Sequence, residues 1–504
     1  MAGGSLQTTA FFFILSISSV SITTQAKVIQ NNKPTTTQQE PRTTNKTNNN
    51  PLQPNTNMFT PFSQPHQIRI AWLAPARRCG QYKADSSVNV LKFAISIVKG
   101  LMLHNVDIRV KWYDSKCTAQ GGRVAALTAR VDLDPDLILG PPSSAAMKEV
   151  ASLASRWNIP VFGWGSDDPA LEDRSKFPTL VRVFPPLNTL APTIYFLNSL
   201  FNWSRFSIVS DSQKEYTKVS DALAGFIQEN NATLASSHVI NPNMSDAEIK
   251  NTLTVVKTNA RIVLLSVPWT DLRRYILLAQ ELNMTSGDFS FLCFNNELRS
   301  EEDLQVQSQY QFAWSRNDSL DNLAKSAFES VIQVTTDVTN VQTSFDLLRE
   351  FLNKSGEFEA YENLDLPAPG NPDFEISAAY LYDATMLWAH FANVIISEGG
   401  NIRDGRRILQ LVRGVELFGL TGSILMNNHG DRLGDVWMLD MDTDGVFNDF
   451  LNIKNNADGG AALTRPIFDC VGLEPGVFDS SCSYDVIWPG GQVGAEHAPS
   501  DTPV

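Results

Sequence analysis

Cysteine is scarce in this 504-residue chain, five in all, which excludes a small scaffold built on disulfides. The fold must be held mainly by apolar burial. Basic residues are outnumbered, 40 Lys plus Arg against 54 Asp plus Glu, and the formal net charge of −14 repels phosphate backbones and anionic headgroups. Nucleic acid is therefore excluded as a partner. Histidine is rarer still, and the six at positions 66, 104, 238, 390, 429 and 497 show no metal-ligand spacing. His390 lies in a long apolar helical stretch and reads as a packing residue. The common catalytic constellations are missing too: no Gly-x-Ser-x-Gly elbow, no His-Glu-x-x-His helix and no Gly-x-x-x-x-Gly-Lys loop. The expectation is a non-enzymatic protein with no catalytic residues, no cofactor and no metal.

Beyond the N-terminus no run reaches about 18 apolar residues, the length a membrane helix requires. Within the first 26 residues, an apolar stretch from Ala10 to Val20 is followed by Thr24-Gln25-Ala26, the pattern of a signal peptide cleaved before Lys27. The segment before the apolar stretch has no Lys or Arg, so an uncleaved anchor is the alternative. Residues 27–65 are Asn, Thr, Gln and Pro with few large apolar side chains, which reads as a disordered polar stalk. Seven Asn-x-Ser/Thr sequons, at Asn45, Asn202, Asn231, Asn243, Asn283, Asn317 and Asn353, accord with a secreted glycoprotein.

The ordered part begins at Ile68, where the apolar run to Ala74 reads as a buried parallel strand. Strands and helices then alternate with short links. Strands are expected at 108–113, 137–139 and 159–162, and helices at 88–98, 124–131 and 145–157. A second series starts at Phe206, with strands at 206–209, 261–265 and 289–292 and helices at 219–227 and 272–282. This alternation predicts an α/β protein of two Rossmann-like lobes with parallel sheets. After Gln311, a long helix from Ala378 to Ile396 and a hairpin from Gly422 to Met441 are expected to complete both lobes rather than form a third sheet. The chain must then cross between lobes several times, forming a hinge over a cleft. The ligand-binding region is expected over 66–470: a first lobe of about 66–185 plus 312–425, a second of about 186–311 plus 426–465, then a juxtamembrane-like tail, 471–504.

Cys79 and Cys117 follow the first two strands, so neighbouring parallel strands would bring both to one edge, and a bridge there is geometrically reasonable. Cys470 and Cys482 bracket a short loop whose closure is worth about 3 kcal/mol in the chain-entropy model. Cys293 falls in an apolar strand and is expected to be a buried thiol.

Several segments, in order, resemble one family: Asp136-Leu137-Ile138-Leu139-Gly140-Pro141, Met284 to Phe289, Ala378 to Ala384, Gly430-Asp431-Arg432-Leu433-Gly434-Asp435 and Trp488-Pro489-Gly490-Gly491. Together they resemble the extracellular region of natriuretic peptide receptors and receptor guanylyl cyclases. The resemblance implies a periplasmic-binding-protein type I fold, an extracellular peptide or small-molecule ligand, and a homodimer. It implies a membrane association only through a segment beyond Trp488-Pro489, and the expectation is that the sequence to Val504 is without that segment and without the kinase-like and cyclase parts.

The departures from the family bear on the ligand. The family's bridging cysteine after the Gly-Pro turn is replaced by Ser143, which leaves Cys79 as the nearby partner for Cys117. A second family bridge would fall near Lys218 and Ser266. The family's aromatic hormone contact falls on Ala145, and Pro142 has no amide hydrogen to offer the family's chloride site. Natriuretic peptide is therefore not carried over as the ligand.

Ligands of open α/β sheets bind beyond the carboxyl ends of the strands, which points to the turns 140–144 and 163–168. Ser143 and Ser144 would offer hydroxyls and helix-opening amides to an anionic group, or serve as an ordinary N-cap. Trp164 would stack on a ligand or pack beside the hinge. Ser166 adds a hydroxyl, and Asp167, with Asp168, would receive a basic group or lie in a solvated turn. The run Asp440 to Gly445 matches half of a calcium loop but has Leu451 where the bidentate Glu belongs, so it reads as a hairpin turn. The leading expectation is a receptor ectodomain. The alternatives are a secreted binder or decoy of amino acids or other small ligands, and an extracellular interaction protein with a vestigial cleft.

Overall fold

The run that opens the ordered region forms β1 (Gln67–Ala74), and its side chains sort by parity onto two faces. Ile68, Ile70 and Trp72 enter one apolar cluster while Ala71 and Leu73 enter another, all five fully buried. Burial on both faces is what an all-parallel sheet under two helical layers demands, and each large side chain so placed contributes roughly 1.5–3 kcal/mol. The computed structural model describes residues 67–79, 82–104, 106–190, 193–295, 313–336, 364–367, 377–455, 461–466, 487–488 and 492–493. The expected leader and stalk, Asn45, Asn353, Cys470, Cys482 and most of the tail lie outside these residues.

From β1 the chain runs through α1 (Ala84–Ile97), β2 (Asp107–Asp114), α2 (Ala119–Asp132), β3 (Leu137–Leu139), α3 (Ser144–Trp157), β4 (Val161–Gly163) and β5 (Leu180–Arg182). With a later short strand, β11 (Leu364–Asp365), these build a six-stranded sheet in the order β11-β2-β1-β3-β4-β5. Every pairing in it is parallel. The second series comprises α4 (Thr193–Phe201), β6 (Arg205–Asp211), α5 (Lys214–Glu229), β7 (Thr233–Ile240), α6 (Asp246–Asn259), β8 (Ile262–Ser266), α7 (Trp269–Glu281) and β9 (Ser290–Asn295). α6 starts where its sequence says it should. Ser245 caps it and Glu248 reaches back to the Ser245 amide, a capping box. In β8 parity again divides the faces, Ile262 and Leu264 into one cluster and Val263 and Leu265 into the other.

The sequence-based division is corrected at residue 312. α8 (Asp321–Phe328) and β10 (Val331–Thr336) continue the second series, because β10 pairs in parallel with β9 and Ala327, Phe328 and Val331 fill the second lobe's core. The first lobe regains the chain later, with α9 (Ser377–Ser397) against α1 and α10 (Gly405–Val412) near β5. The expected single hairpin is corrected as well. β12 (Glu416–Gly419), β13 (Gly422–Met426) and β14 (Arg432–Leu433) form a three-stranded sheet of their own.

β15 (Val436–Met441), β16 (Phe447–Asn455) and β17 (Ala461–Pro466) then extend the second sheet in antiparallel fashion beyond β10. The order there is β17-β16-β15-β10-β9-β8-β6-β7. The chain passes between the sheets after β5, after β10 and after β14, the arrangement of a hinge. Asp442 and Gly445 close the β15–β16 turn through Asp442 N to Val446 O, 2.8 Å, and Gly445 N to Asp442 O, 2.9 Å. Cys293 is buried in β9.

Candidate functional site

The ends of β3 and β4 carry the two turns expected to line the cleft. β3 turns at Gly140, whose φ of +88° favours glycine and where a Cβ would lie 2.4 Å from the Leu73 carbonyl oxygen. β4 ends at Gly163 and leads into Trp164-Gly165-Ser166-Asp167-Asp168. Gly165 leaves space for a neighbour, since a Cβ there would lie 2.6 Å from the Tyr82 ring. Tyr82 packs edge-on to Trp164 at 5.5 Å and donates its hydroxyl to the Gly165 carbonyl at 3.0 Å. Cys79 and Cys117 are joined, Cα to Cα 6.3 Å, and tie the Tyr82 loop to the loop after β2. The bridge closes a 38-residue separation, worth about 4 kcal/mol of chain entropy at most.

The expected ligand residues divide by what they already touch. Trp164 and Ser166 are fully buried, and Trp164 presents its ring to Tyr82 rather than to an open cleft. Ser143 is half-buried and donates to the Cys117 carbonyl at 3.2 Å instead of capping α3 with its side chain. Ser144 is the organiser of the turn. Its hydroxyl donates to Asp167 Oδ1 at 2.7 Å and accepts from the Asp167 and Asp168 amides at 3.1 and 3.2 Å. Asp167 is the partly open member of the set.

Residues missed by the sequence complete the site. Asp168 accepts from Lys148 Nζ at 2.6 Å, and Lys218, near the start of α5 in the other lobe, stands 3.4 Å from Asp168 and 3.9 Å from Asp167. Burial alone would raise the Asp168 carboxyl. The Lys148 and Ala170 hydrogen bonds, with the Lys218 and Lys148 charges, outweigh it and hold the group below its ordinary value.

Behind the turn, the fully buried Arg182 donates from Nη1 to the Asp168 carbonyl at 2.7 Å and grips both oxygens of Asp431 at 2.6 and 2.8 Å. Arg174 donates to the same carboxylate. Burial would raise Asp431 too, but Arg182 and Arg174 hold it ionised and below its ordinary value. Asp431 belongs to the Gly430–Asp435 turn that carried part of the family resemblance. Its partner lies 249 residues away, so no spacing rule could have found the pair.

The arrangement sets a hydrogen-bonded turn of the first lobe against a lysine of the second. It brings together no metal-binding cluster of His, Cys, Asp or Glu among the described residues. The five described sequon asparagines, Asn202, Asn231, Asn243, Asn283 and Asn317, are all exposed and all in the second lobe.

Comparison with known proteins places these features in context. The family described as "Receptor family ligand binding region", the ANF receptor family, matches residues 87–444. Atrial natriuretic peptide receptor 3 of Homo sapiens is 25% identical over 395 residues, covering 75% of this chain and 69% of that receptor. A receptor-type guanylate cyclase of Caenorhabditis elegans is 26% identical over 387 residues, covering 72% of this chain and 36% of the cyclase. Atrial natriuretic peptide receptor 2 of Bos taurus is 25% identical over 397 residues, 74% of this chain and 36% of that receptor. The chain thus spans about a third of the length of the last two relatives.

Proposed function

This chain belongs to the ANF receptor family of ligand-binding regions, and we propose that it is an extracellular receptor module that closes two lobes around its ligand. The supporting observation is Lys218, which reaches across from α5 to Asp168 and Asp167 on the first-lobe turn. A single pair of this kind, its lysine 31% exposed, is worth about 1 kcal/mol, so it can open, and a ligand with higher affinity for the closed state would shift the balance. Secretion and glycosylation at the exposed sequons fit this reading. Among the described residues no helix is long and apolar enough to cross a membrane, and the route from ligand to output belongs to the proposal.

The small-ligand alternative draws on one observation: Ser144, Asp167, Asp168, Lys148 and Lys218 are bound to one another within hydrogen-bonding or ion-pair distance, a compact polar set rather than a long groove. Self-association is assigned to α2, where Val124, Leu127 and Val131 form a stripe at helical spacing and are 56%, 44% and 88% exposed. A second copy of this chain is the proposed occupant. Light scattering should give a dimer for the native sequence and a monomer for Val131→Glu, and a monomer in both removes the assignment.

Direct capture tests the main reading. The secreted chain, incubated with an extract of peptides and metabolites and examined by native mass spectrometry, should retain one ligand per lobe pair. Retention of nothing across such extracts contradicts a receptor and favours an interaction protein with an unused cleft.

A further inference from the structure

The second lobe carries a further group of acidic residues at the carboxyl end of β6. Asp211 ends β6 and is fully buried; Oδ1 accepts from the Gln213 amide at 2.8 Å, while Oδ2 is buried with no hydrogen-bond partner. β6 and β8 are neighbours, paired at Ser210 and Ser266, so the helix that follows β8 begins beside the end of β6. That helix, α7, carries Asp271 in its first turn and Tyr275 one turn later on the same face. Tyr275 is 2% exposed and its hydroxyl also has no hydrogen-bond partner among the described residues, whereas Asp271 is partly exposed.

The three groups feel one another. Burial, then the Asp211 charge, pushes the Asp271 carboxyl above its ordinary value. Burial, then Asp271 and Asp211, pushes the Tyr275 phenol up to about 12. The cation beside them, Arg274, is engaged elsewhere, with Asp246 at 2.9 Å, the Pro242 carbonyl at 3.0 Å and the Met244 carbonyl at 2.6 Å. A buried carboxylate oxygen with no donor is costly, and nothing among the described residues offsets the cost.

We propose that Asp211, Asp271 and Tyr275 form a subsite for a protonated primary amine of the ligand. An ammonium head has three N–H donors, and the three residues carry three acceptors: Asp211 Oδ2, the Asp271 carboxylate and the Tyr275 oxygen. Two carboxylates match a cation and reject an anion. The chain's net charge of −14 favours the approach of such a ligand. The inference rests on the reading of the interlobe cleft as a ligand site and adds the chemical class of what it holds.

The test is calorimetric titration of the full secreted chain with propylammonium chloride, against sodium chloride at equal ionic strength, with small-angle scattering in parallel. A saturable heat is expected for propylammonium alone. Asp211→Asn and Asp271→Asn should each weaken it at least tenfold and Tyr275→Phe about threefold. The phenylalanine variant keeps its ring in the core and carries the test if an asparagine variant does not fold. No saturable heat beyond that of sodium chloride, or equal heat in wild type and all three variants, overturns the subsite. Amine binding without any change in scattering supports the subsite and counts against lobe closure, whereas compaction on another captured ligand with no amine response overturns the subsite alone.

Discussion

Two buried carboxylates, Asp431 in the first lobe and Asp211 in the second, have the same exposure, none, and opposite surroundings. Asp431 is gripped by Arg182 on both oxygens and receives Arg174 as well. Asp211 receives one backbone amide and, among the described residues, no cation. A fully paired buried charge is a brace, because each partner's desolvation is repaid only while the others stay in place. A half-paired charge retains the capacity to bind something else. Asp431 thus braces the first-lobe turn, whereas Asp211 is the second-lobe group to which the amine subsite is assigned.

The sharpest way to break this comparison is to neutralise each carboxylate in turn. Asp431→Asn strands two buried arginines and should cost about 3–5 kcal/mol, read as a lower denaturant midpoint. Asp211→Asn should change stability by less than about 1 kcal/mol, because Oδ2 has no hydrogen-bond donor to lose among the described residues. Equal losses at both sites would erase the distinction. Next in size, replacing both cysteines of the Cys79–Cys117 bridge by serine should lower stability by up to about 4 kcal/mol and loosen Tyr82 from Trp164, leaving the second lobe intact in hydrogen exchange.

A pH scan sharpens the same contrast through its signs. The Asp431 carboxyl is depressed in the fold, so its stabilisation is present above the unfolded value and is lost as pH falls through the folded one. The Asp271 carboxyl is raised, so its favourable contribution is present below the unfolded value and is lost as pH rises through the folded one. Asp271→Asn should therefore match wild type in acid and exceed it in stability near neutral pH; a variant less stable at neutral pH contradicts the assignment. The smallest effect is expected from Lys218→Ala, which should cost less than about 1 kcal/mol in thermal unfolding, since the pair it breaks is partly solvated.

Much of the fold was legible because strands buried on both faces leave unmistakable apolar runs, as at Ile68–Ala74 and Ile262–Leu265, and because Pro and Gly punctuate the links. The sheet to which β10 belongs was not legible, since a short apolar strand fits the edge of either sheet and only its pairing with β9 decides. In the site, sequence reasoning found the turns at Gly140 and Gly163 and the Cys79–Cys117 edge. It could not tell that Trp164 faces Tyr82 or that Ser144 is used up by Asp167 and two amides, because both depend on a loop more than twenty residues away. Lys218, Asp431 and Asp211 carry no local pattern that names a partner, and each gains its meaning from residues brought near by the two-lobed topology.

Opening and closing of the two lobes can be followed by small-angle scattering of the full chain with Lys218→Glu. That substitution sets a third negative charge against Asp167 and Asp168 where a positive one now stands. The account predicts a larger radius of gyration than wild type, with the difference shrinking as salt is raised. Identical scattering at low salt would contradict it.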